Sequence, residues 1–309
     1  MSGIFMMMIG IAGSGKSYYA AQLAKESNAI IVSSDAIRGE LFGDENDQNH
    51  NAQVFEEVHR RVLAALREGR NVIYDATNLS AKRRKAFLTQ VPAGVFKSAY
   101  LIATDYDLIL KQNASRERKV PEGVIRSMYL RLQMPRKSEG WDRIVFIRND
   151  RNTSTIESAM SACVGFDQDN PHHSALLDDH MKQAEEYVAC HAEEYGINGY
   201  NYLITKTAAK YHDIGKPDCK TYKLWSGKID DHAHYYGHAD VSAYIAACVE
   251  CPFGDDIVDR MCWKLVIMLI QYHMDCYADK NWLDKIEKVE GYEFRRMMEL
   301  LHEGDKNGH

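Results

Sequence analysis

Two short stretches of this 309-residue sequence combine residue types that could do chemistry on phosphate groups. Near the amino terminus, GIAGSGKS places a lysine and a serine directly after a glycine-rich run. Far downstream, KYHDIGKP places a histidine beside an aspartate, with a glycine and a lysine just behind. The first has the composition of a phosphate-binding loop, and the second offers nitrogen and oxygen ligands for a metal ion. We therefore expect two separate reaction centres.

The glycine-rich stretch fits G-x-x-x-x-G-K-[ST] and lies between a strand-like apolar run and a helical pattern. Backbone N–H groups of such a loop can surround a phosphate, and the following helix directs its positive end at the charge. Lys16 is expected to pair with the β and γ phosphates of ATP or another nucleoside triphosphate, and Ser17 to ligate Mg²⁺. A chance glycine-rich turn is the alternative, which the flanking strand and helix disfavour. The predicted phosphate-binding residues are Gly10, Gly13, Ser14, Gly15, Lys16 and Ser17.

Acidic and basic side chains at three further positions could complete this site. Asp35 ends the strand-like run AIIVSSD and could accept the proton of an attacking hydroxyl. Arg38, one turn into the next helix, could hold a substrate phosphate. Asp75 ends the run NVIYD and suits the magnesium shell. Asp35 could instead be a helix N-cap, and Asp75 a turn or cap residue.

A basic segment follows, in which Arg116, Arg118 and Lys119 precede Val120-Pro121, where a helix is expected to begin. A loop hinged in this way can close over ATP and stabilise charge on the phosphoryl group in transfer. The alternative is a solvated run of charge. The context of a phosphate-binding loop favours a role at the site.

The histidine–aspartate pair, His212 and Asp213, is predicted to lie on a helix, where adjacent residues are about 100° apart and share one shoulder. Imidazole and carboxylate together suit manganese, iron, nickel, cobalt or zinc. A single helical histidine is usually structural, but eleven of the 13 histidines fall within residues 152–309. Further candidate ligands are His180, His238 and His273, with Asp275 or Asp305 as the closing acid.

Two metal ions could be accommodated in this second centre, with Asp213 as the bridge. Such a pair would generate hydroxide at neutral pH and polarise a phosphoester. Lys216, one turn after Asp213, could neutralise phosphate oxygens. A surface lysine is the alternative for Lys216.

Two different domains are expected to position these centres. Residues 1–150 alternate five strand-like runs with helical patterns, which predicts a parallel sheet covered by helices. The polar stretch 148–156 is predicted to be a linker. The patterns in 157–309 are helical with almost no strand signal, so an all-α bundle is expected there. The five runs are IFMMMIGI, AIIVSS, NVIYDAT, VFKSAYLIA and RIVFIRND.

The composition fits two modules with different ligands. Residues 1–151 carry a charge balance of +6 and residues 152–309 a balance of −12, so the first could attract polyanions and the second could hold cations. Seven cysteines, an odd number, argue against a disulfide framework and for a reducing compartment such as the cytoplasm. The apolar run IFMMMIGIA is too short to span a bilayer, and no membrane association is expected.

The order GxxGSGKS, SSD with Arg38 three residues on, DATN, and then N-x-x-R…VP…IRSMY resembles the 5′-hydroxyl polynucleotide kinases of bacteriophages and bacterial RNA-repair systems. The resemblance covers about residues 1–150 and implies an α/β P-loop kinase domain. By this likeness Asp35 is the general base, Arg38 holds the acceptor strand and Arg116 is the lid arginine. Zeta-toxin and small-metabolite kinases share much of the pattern, which leaves the acceptor open.

The series H…HD…H…H…D, with the phrases NPHH, HDIGKP and YGHADVSA, resembles the HD-superfamily phosphohydrolases, in particular the HD domain fused to bacterial tRNA CCA-adding enzymes. The resemblance covers roughly residues 165–309. Asp305 is preferred to Asp275 because its GDKNGH setting resembles the family's final helix, and His172 or His173 could touch substrate. The implied ligands of two divalent transition metals are His180, His212, Asp213, His238, His273 and Asp305.

Kinase modules joined to HD modules are a class of RNA end-healing enzymes, and this chain resembles one with the kinase first. That implies transfer of the ATP γ-phosphate to a 5′-hydroxyl end and hydrolysis of 2′,3′-cyclic phosphate or 2′/3′-phosphate ends. The expected partners are nucleic-acid ends, RNA in preference to DNA, and a ligase acting downstream.

Two other functions stay open. One is a metabolic nucleoside or sugar kinase joined to a nucleotide phosphohydrolase, which the +6 balance and the basic lid disfavour. The other is a regulatory protein that responds to ATP and metal occupancy without chemistry. Asp35 and Arg116 beside an intact phosphate-binding loop argue against this last possibility.

Overall fold

The computed structural model describes residues 3–171 and 175–308, so His172 and His173 lie outside the described residues. The chain divides into two compact units between Arg151 and Asn152. Within the described part of the chain, each helix is too short or too polar to cross a bilayer.

A five-stranded, fully parallel sheet with the spatial order β2-β3-β1-β4-β5 forms the centre of the first unit. The predicted parallel sheet with flanking helices is confirmed, and it fits a P-loop kinase. Its strands are β1 (Ile4–Ile9), β2 (Ile30–Ser33), β3 (Val72–Asp75), β4 (Phe96–Ala103) and β5 (Arg143–Arg148). Its helices are α1 (Lys16–Ser27), α2 (Ser34–Phe42), α3 (Asn51–Arg67), α4 (Ala81–Leu88), α5 (Tyr106–Ala114) and α6 (Glu122–Arg131), with a 3-10 turn at Lys137–Glu139.

The central strands of this sheet have nearly continuous apolar sequences because helices cover both of their faces. Met6 and Met8 of β1, Ile73 of β3 and Ile102 of β4 pack with Ala20 of α1 in one buried cluster. This packing fixes α1 against the sheet, so the loop between β1 and α1 emerges at the carboxyl edge of the strands.

The same edge carries the ends of β2 and β3. Ser33 pairs with Asp75 in the parallel register, so the residues that follow β2 lie beside the end of β3. Parallel strands all present their carboxyl ends at one edge, which is the usual place for ligand sites in such sheets. The fold therefore gathers Asp35 and Asp75 near the loop that precedes α1.

The second unit is mostly helical. Helices α8, α9 and α15 pack against one another, and α12 packs against both α9 and α11. The helices are α7 (Ile156–Ser161), α8 (Leu177–His191), α9 (Gly199–Tyr211), α10 (Lys216–Cys219), α11 (His238–Cys248), α12 (Ile257–Tyr272), α13 (Asp275–Ala278), α14 (Trp282–Glu290) and α15 (Tyr292–Asn307).

Strands β6 (Thr221–Lys223) and β7 (Ile229–His234) form an antiparallel hairpin between α10 and α11. The prediction of an all-helical second domain is therefore wrong over this segment. The strands are short, and the sequence IDDHAH of β7 is polar, with most of its residues at least partly exposed. Such a strand lacks the alternation of apolar and polar residues that identifies a strand in a sequence.

Candidate functional site

The loop between β1 and α1 has a backbone that favours glycine. Gly13 and Gly15 have φ angles of +87° and +90°, in the left-handed region that L side chains rarely adopt. Helix α1 begins directly after Gly15, and the Lys16 ammonium group donates to the Ile11 carbonyl oxygen at 2.8 Å. The loop thus curls around the lysine at the amino end of a helix, which is an arrangement suited to phosphate.

Two residues that were not predicted from the sequence stabilise this loop through hydrogen bonds. The Thr104 hydroxyl donates to the Ser14 carbonyl oxygen at 2.8 Å, and the Asn149 amide donates to the Thr104 hydroxyl at 3.1 Å. Thr104 directly follows β4, and Asn149 directly follows β5. Their position after a strand end is the only signal in the sequence that could have found them.

Ser17 and Asp75 form the pair expected around magnesium. The Ser17 hydroxyl donates to Asp75 Oδ2 at 2.8 Å. Burial lowers the pKa of Lys16 to about 8, with the charge of Asp75 opposing this shift. Burial also raises the pKa of Asp75, with Lys16 opposing. A hydroxyl and a carboxylate in contact, next to a buried lysine, could hold Mg²⁺ and the phosphates that it accompanies.

Asp35 lies between two arginines. Its Oδ1 is 2.7 Å from Arg38 Nη1, and its Oδ2 is 3.3 Å from Arg118 Nη1. The N-cap of α2 is Ser33, whose side chain accepts from the Ala36 N–H, so Asp35 does not serve as the cap. Half of the Asp35 side chain stays exposed, which leaves the carboxylate accessible to an acceptor.

Arg38 is more confined than the sequence suggested. Its side chain is buried, and Nη2 donates to Asn51 Oδ1 at 3.0 Å while Nη1 contacts Asp35. These contacts make Arg38 a residue that orients Asp35 as well as a candidate for contact with substrate. Arg118, which sequence analysis placed only in the basic segment, is the second partner of Asp35.

Asn113 joins the two ends of the basic segment. Asn113 Nδ2 donates to the Val120 carbonyl oxygen at 2.8 Å, and Asn113 Oδ1 accepts from the Val120 N–H at 2.9 Å. This reciprocal pair closes the loop that carries Arg116 and Arg118. Helix α6 begins just after it, with Pro121 as its N-cap.

A cleft of about 1750 Å³ in the first unit joins these groups. Of the predicted phosphate-binding residues, Gly13 and Gly15 line it, whereas Gly10 and Ser14 are not among its lining residues. The predicted charged and magnesium-binding residues of this unit all line the cleft: Lys16, Ser17, Asp35, Arg38, Asp75 and Arg116.

In the second unit, four predicted ligands form one buried cluster, here called the first ligand group: His180, His212, Asp213 and Asp305. Nε2 of His180 lies 3.2 Å from Nε2 of His212, and each of these atoms lies 3.3 Å from Asp213 Oδ2 and 3.2 Å from Asp305 Oδ1. Neighbouring ligands about 2.1 Å from one ion lie roughly 3.0–3.4 Å apart in octahedral or tetrahedral geometry. These four residues could therefore hold a metal ion between them.

A second ligand group shares Asp213 with the first. Nε2 of His238 lies 3.1 Å from Nε2 of His273, and these atoms lie 3.2 and 3.5 Å from Asp213 Oδ1. Among the described residues, none makes a hydrogen bond to this buried oxygen. A buried carboxylate oxygen without a donor is costly unless a cation pairs with it. The donor set thus fits one ion on each oxygen of Asp213.

The four histidines are oriented in the same way. Each Nδ1 lies 2.6–2.7 Å from a backbone carbonyl oxygen, those of Gly308, Ala209, Tyr235 and Ile270 for His180, His212, His238 and His273, respectively. Such a bond places the proton on Nδ1 and leaves the lone pair on Nε2, which is the form that binds metal.

Because the Nε2 atoms face one another, the metal-free cluster favours a protonated histidine. Two Nε2 lone pairs that face each other need a shared proton or a cation between them. Burial disfavours the charged form of His212, but Asp213 and Asp305 outweigh burial and raise its pKa to about 10. The cluster thus favours positive charge at the position where a metal ion would bind.

Glycine near the carboxyl end allows one of these contacts. A Cβ at Gly308 would lie 2.9 Å from His180 Nδ1 and 2.8 Å from its carbonyl oxygen, so a larger residue would force the segment apart. This close approach gives a physical role to the GDKNGH stretch that also contains Asp305. In the described residues, Asp275 belongs to neither ligand group.

Two expectations for this centre need correction. His212 and Asp213 do not lie within a helix, because α9 ends at Tyr211, and His273 likewise follows the end of α12. The alternative of a surface lysine for Lys216 is also wrong. Its ammonium group is buried, 2.7 Å from both Asp213 Oδ2 and the Gln168 side-chain oxygen.

Comparison with known proteins adds a family match within the first unit. A family model described as an AAA domain matches residues 5–135. A chain in a solved Pnkp1/Rnl/Hen1 RNA repair complex is 22% identical with a TM-score of 0.40, and the match covers 50% of this chain and 53% of that chain.

Two further solved structures are similar over part of the chain. In a second Pnkp1/Rnl/Hen1 complex the identity is 22% and the TM-score 0.34, over 38% of this chain and 41% of that chain. A gluconokinase from Sinorhizobium meliloti 1021 is 18% identical with a TM-score of 0.34, over 47% and 81%. This chain thus spans about half of the Pnkp1/Rnl/Hen1 chains or less, and these distant similarities do not assign a substrate. The first unit is a P-loop domain that fits a kinase, and the second contains buried groups that could bind metal ions.

Proposed function

We propose that this chain is a two-centre enzyme that repairs both ends of a nucleic-acid break. The first unit would transfer the γ-phosphate of ATP to a 5′-hydroxyl end. The second would hydrolyse a 2′,3′-cyclic phosphate, or a 2′- or 3′-phosphate, at the other end. The observation that carries this proposal is the presence of two separate sets of phosphate chemistry in one chain: the cleft around Lys16 and the ligand groups around Asp213.

In the first unit, the arrangement of charges supports in-line phosphoryl transfer. The exposed carboxylate of Asp35 takes the proton of the 5′-hydroxyl, the hydroxyl oxygen bonds to the γ-phosphorus, and the bond to the β-phosphate oxygen breaks to release ADP. Lys16 and Arg116 face the phosphates and stabilise the charge that moves to the leaving oxygen. Arg38 and Arg118 hold the Asp35 carboxylate in position.

In the second unit, metal ions held by the two ligand groups would supply hydroxide and polarise the phosphoester when bound. The residues of the chain do the positioning. Backbone carbonyls fix the four imidazoles, Asp213 directs one oxygen to each group, and Lys216 holds Asp213 through an ion pair. Hydrolysis of a 2′,3′-cyclic phosphate breaks one ester bond and adds a water molecule, which leaves a monoester and a free hydroxyl.

The pairing of these two activities has a chemical logic. A metal-free nuclease leaves a 5′-hydroxyl and a 2′,3′-cyclic phosphate, and a ligase commonly needs the first phosphorylated and the second opened or removed. RNA is the substrate that forms a 2′,3′-cyclic phosphate, because DNA lacks the 2′-hydroxyl. We infer that RNA ends are the substrate and that a ligase acts on the product.

A transfer assay with γ-labelled ATP tests the first half of this proposal. The acceptors are a single-stranded RNA with a 5′-hydroxyl, the matching mononucleosides, and gluconate as a sugar acid. We expect label on the RNA and none on the small acceptors. Efficient transfer to a mononucleoside or to gluconate would instead support a metabolic kinase.

A second assay tests the other half. An RNA with a 2′,3′-cyclic phosphate end is incubated with the protein and Mn²⁺, and the product is compared with the same reaction in a chelator. We expect opening of the cyclic phosphate only with metal. An intact end in the presence of Mn²⁺, Co²⁺, Ni²⁺ and Zn²⁺ would contradict the role given to the second unit.

A further inference from the structure

The β6–β7 hairpin and the residues just after it carry three neighbouring aromatic rings, here called the ring platform: the exposed Trp225 and the half-buried His234 and Tyr236. The ring centroids of Trp225 and Tyr236 lie 4.5 Å apart at an interplanar angle of 43°. The His234 ring is stacked with Tyr236, with ring centroids 5.3 Å apart and an interplanar angle of 7°. Trp225 is 84% exposed and lies in the turn between the two strands.

The exposure of Trp225 has no explanation in the packing of the unit. The other three tryptophans, Trp141, Trp263 and Trp282, are at most 9% exposed. A large indole on a turn, next to further rings, is a surface that typically serves binding. Ile229 at the start of β7 is also 69% exposed and extends the apolar surface.

The turn that carries Trp225 is basic. Its sequence KLWSGK contains two exposed lysines, Lys223 and Lys228, and no acid. The next acids along the chain, Asp230 and Asp231, lie in β7, where Asp230 Oδ2 is 2.8 Å from His234 Nε2. The turn is closed by hydrogen bonds from the Leu224 N–H to the Lys228 carbonyl oxygen and from the Gly227 N–H to the Leu224 carbonyl oxygen. Aromatic rings flanked by lysines are the combination that binds single-stranded nucleic acid, because bases stack on the rings and phosphates meet the ammonium groups.

The platform is tied to the metal-ligand groups through the segment 167–170. The Tyr235 hydroxyl donates to the Gln168 carbonyl oxygen, and the Ala233 N–H donates to the Asp169 carbonyl oxygen at 2.9 Å. The Gln168 side chain accepts from Lys216, which in turn pairs with Asp213. One short segment therefore fixes both the hairpin and the bridging carboxylate.

A second connection runs along the chain itself. Tyr236 precedes the ligand His238 by two residues, and His238 Nδ1 lies 2.7 Å from the Tyr235 carbonyl oxygen. The platform thus continues directly into a residue of the second ligand group. Only Gly237 separates Tyr236 from this ligand along the chain.

We propose that the ring platform stacks a nucleobase of a single-stranded RNA and so positions its phosphate end at the two ligand groups. This inference rests on the proposed function of the second unit. Trp225 is a positioning residue in this scheme, since the bonds that form and break lie at the ligand groups.

Intrinsic fluorescence tests the stacking directly. An eight-nucleotide RNA with a 3′-hydroxyl and a 5′-phosphate, which neither centre can process, is titrated into the full chain without metal. Because the other three tryptophans are buried, we expect the RNA to quench emission in wild type and not in Trp225→Phe. Equal quenching in both proteins, or none in wild type, would overturn the platform.

Steady-state kinetics measures what the stack contributes. With an RNA bearing a 2′,3′-cyclic phosphate, Trp225→Ala should raise KM by about 5- to 150-fold, the range for one lost base–aromatic stack, and leave kcat within about twofold. Trp225→Phe should restore most of the affinity, and Trp225→Leu, which keeps bulk without a ring, should not. Tyr200 is another exposed aromatic residue of the same unit, with 62% of its surface accessible. Tyr200→Ala should have the KM and kcat of wild type.

The outcomes separate the platform from the wider proposal. An unchanged KM in Trp225→Ala would overturn the platform while hydrolysis itself still stands. If wild type opens no cyclic phosphate, the function of the second unit fails, and the quenching titration alone then decides whether the platform binds RNA. Self-association of the chain that is lost in Trp225→Ala, without quenching by RNA, would identify a protein contact and overturn the inference.

Discussion

The Nε2 atoms of His180 and His212 lie 3.2 Å apart, although the other nitrogen of each ring is already bound to a backbone carbonyl oxygen. Two such lone pairs repel each other unless a proton or a metal ion lies between them. The same arrangement recurs between His238 and His273, on the opposite oxygen of Asp213. The second unit therefore contains two positions that favour a cation.

Metal analysis of purified protein should find two transition-metal ions per chain. His180→Ala removes a ligand from the first group only, so the content should fall towards one ion, because Asp213, His238 and His273 remain together. His191→Ala, a change at the half-buried last residue of the same helix, should keep two ions. A wild-type protein that binds one ion or none after incubation with Mn²⁺ would contradict a shared Asp213.

The buried ion pair between Lys216 and Asp213 should contribute most to the free energy of unfolding when no metal is bound. Lys216→Met leaves the carboxylate with one partner fewer, and the free energy of unfolding of the metal-free protein should fall by about 3 kcal/mol. Saturation with Mn²⁺ should recover much of this loss, because a bound cation pairs with Asp213. Chemical denaturation with and without metal measures both values.

Lys206→Met is the matched control for that change. Lys206 pairs with Glu185 at 3.7 Å on the surface of the same unit, where an ion pair contributes at most about 1 kcal/mol. The loss should be small and independent of metal. If Lys216→Met destabilised the metal-free and metal-bound proteins equally, neutralisation of Asp213 would not be the role of Lys216.

The parallel sheet could be predicted because local sequence pattern determines its strands. The five apolar runs became the five strands of the parallel sheet, since strands buried on both faces have continuous apolar sequences. The hairpin was missed because its strands are short and polar, and β7 gains its place from contacts of Ala233 with Asp169 and Asn170. Those contacts join residues more than sixty positions apart and have no local signature.

The candidate sites follow the same division. Residue types and spacing indicated the loop with Lys16 and the histidines, because those motifs have a recognisable chemistry. The residues that orient these motifs could not be inferred from the sequence. Gln168, Thr104 and Asn113 act through one or two hydrogen bonds each, and such bonds leave no pattern in the sequence. Nor could the pattern show that Lys216 is buried and forms an ion pair with Asp213.

ATP binding should weaken as pH rises through the pKa of Lys16. Burial lowers this pKa to about 8, and only the protonated ammonium group attracts phosphate. The protonated fraction falls about tenfold between pH 7 and pH 9, so the affinity for ATP should fall by about the same factor. Calorimetric titration with ATP at fixed Mg²⁺ measures this.

Lys16→Met provides the comparison for that titration. It should bind ATP more weakly at pH 7, and its affinity should change little up to pH 9, because the titrating group is gone. A wild-type affinity that stays constant over this range would show that the Lys16 ammonium group does not govern binding.

Asn113 should control the loop that carries Arg116. Asn113→Ala removes both hydrogen bonds to Val120, so the loop should open more often and the kinase rate should fall by roughly tenfold. Protease cleavage between residues 114 and 120 should become faster. Ser115→Ala, which removes one local hydrogen bond to Gln112, should leave both properties near wild type. If the rate of protease cleavage were unchanged in Asn113→Ala, the two hydrogen bonds to Val120 would not be what keeps the loop closed.

Independent loss of the two activities is the most direct test of two centres in one chain. Asp35→Ala and His212→Ala are each assayed for label transfer to a 5′-hydroxyl RNA and for opening of a 2′,3′-cyclic phosphate, with folding checked by circular dichroism. We expect Asp35→Ala to lose transfer by at least about a hundredfold and keep opening, and His212→Ala to do the reverse. Loss of both activities in either folded variant would show that the centres are not independent.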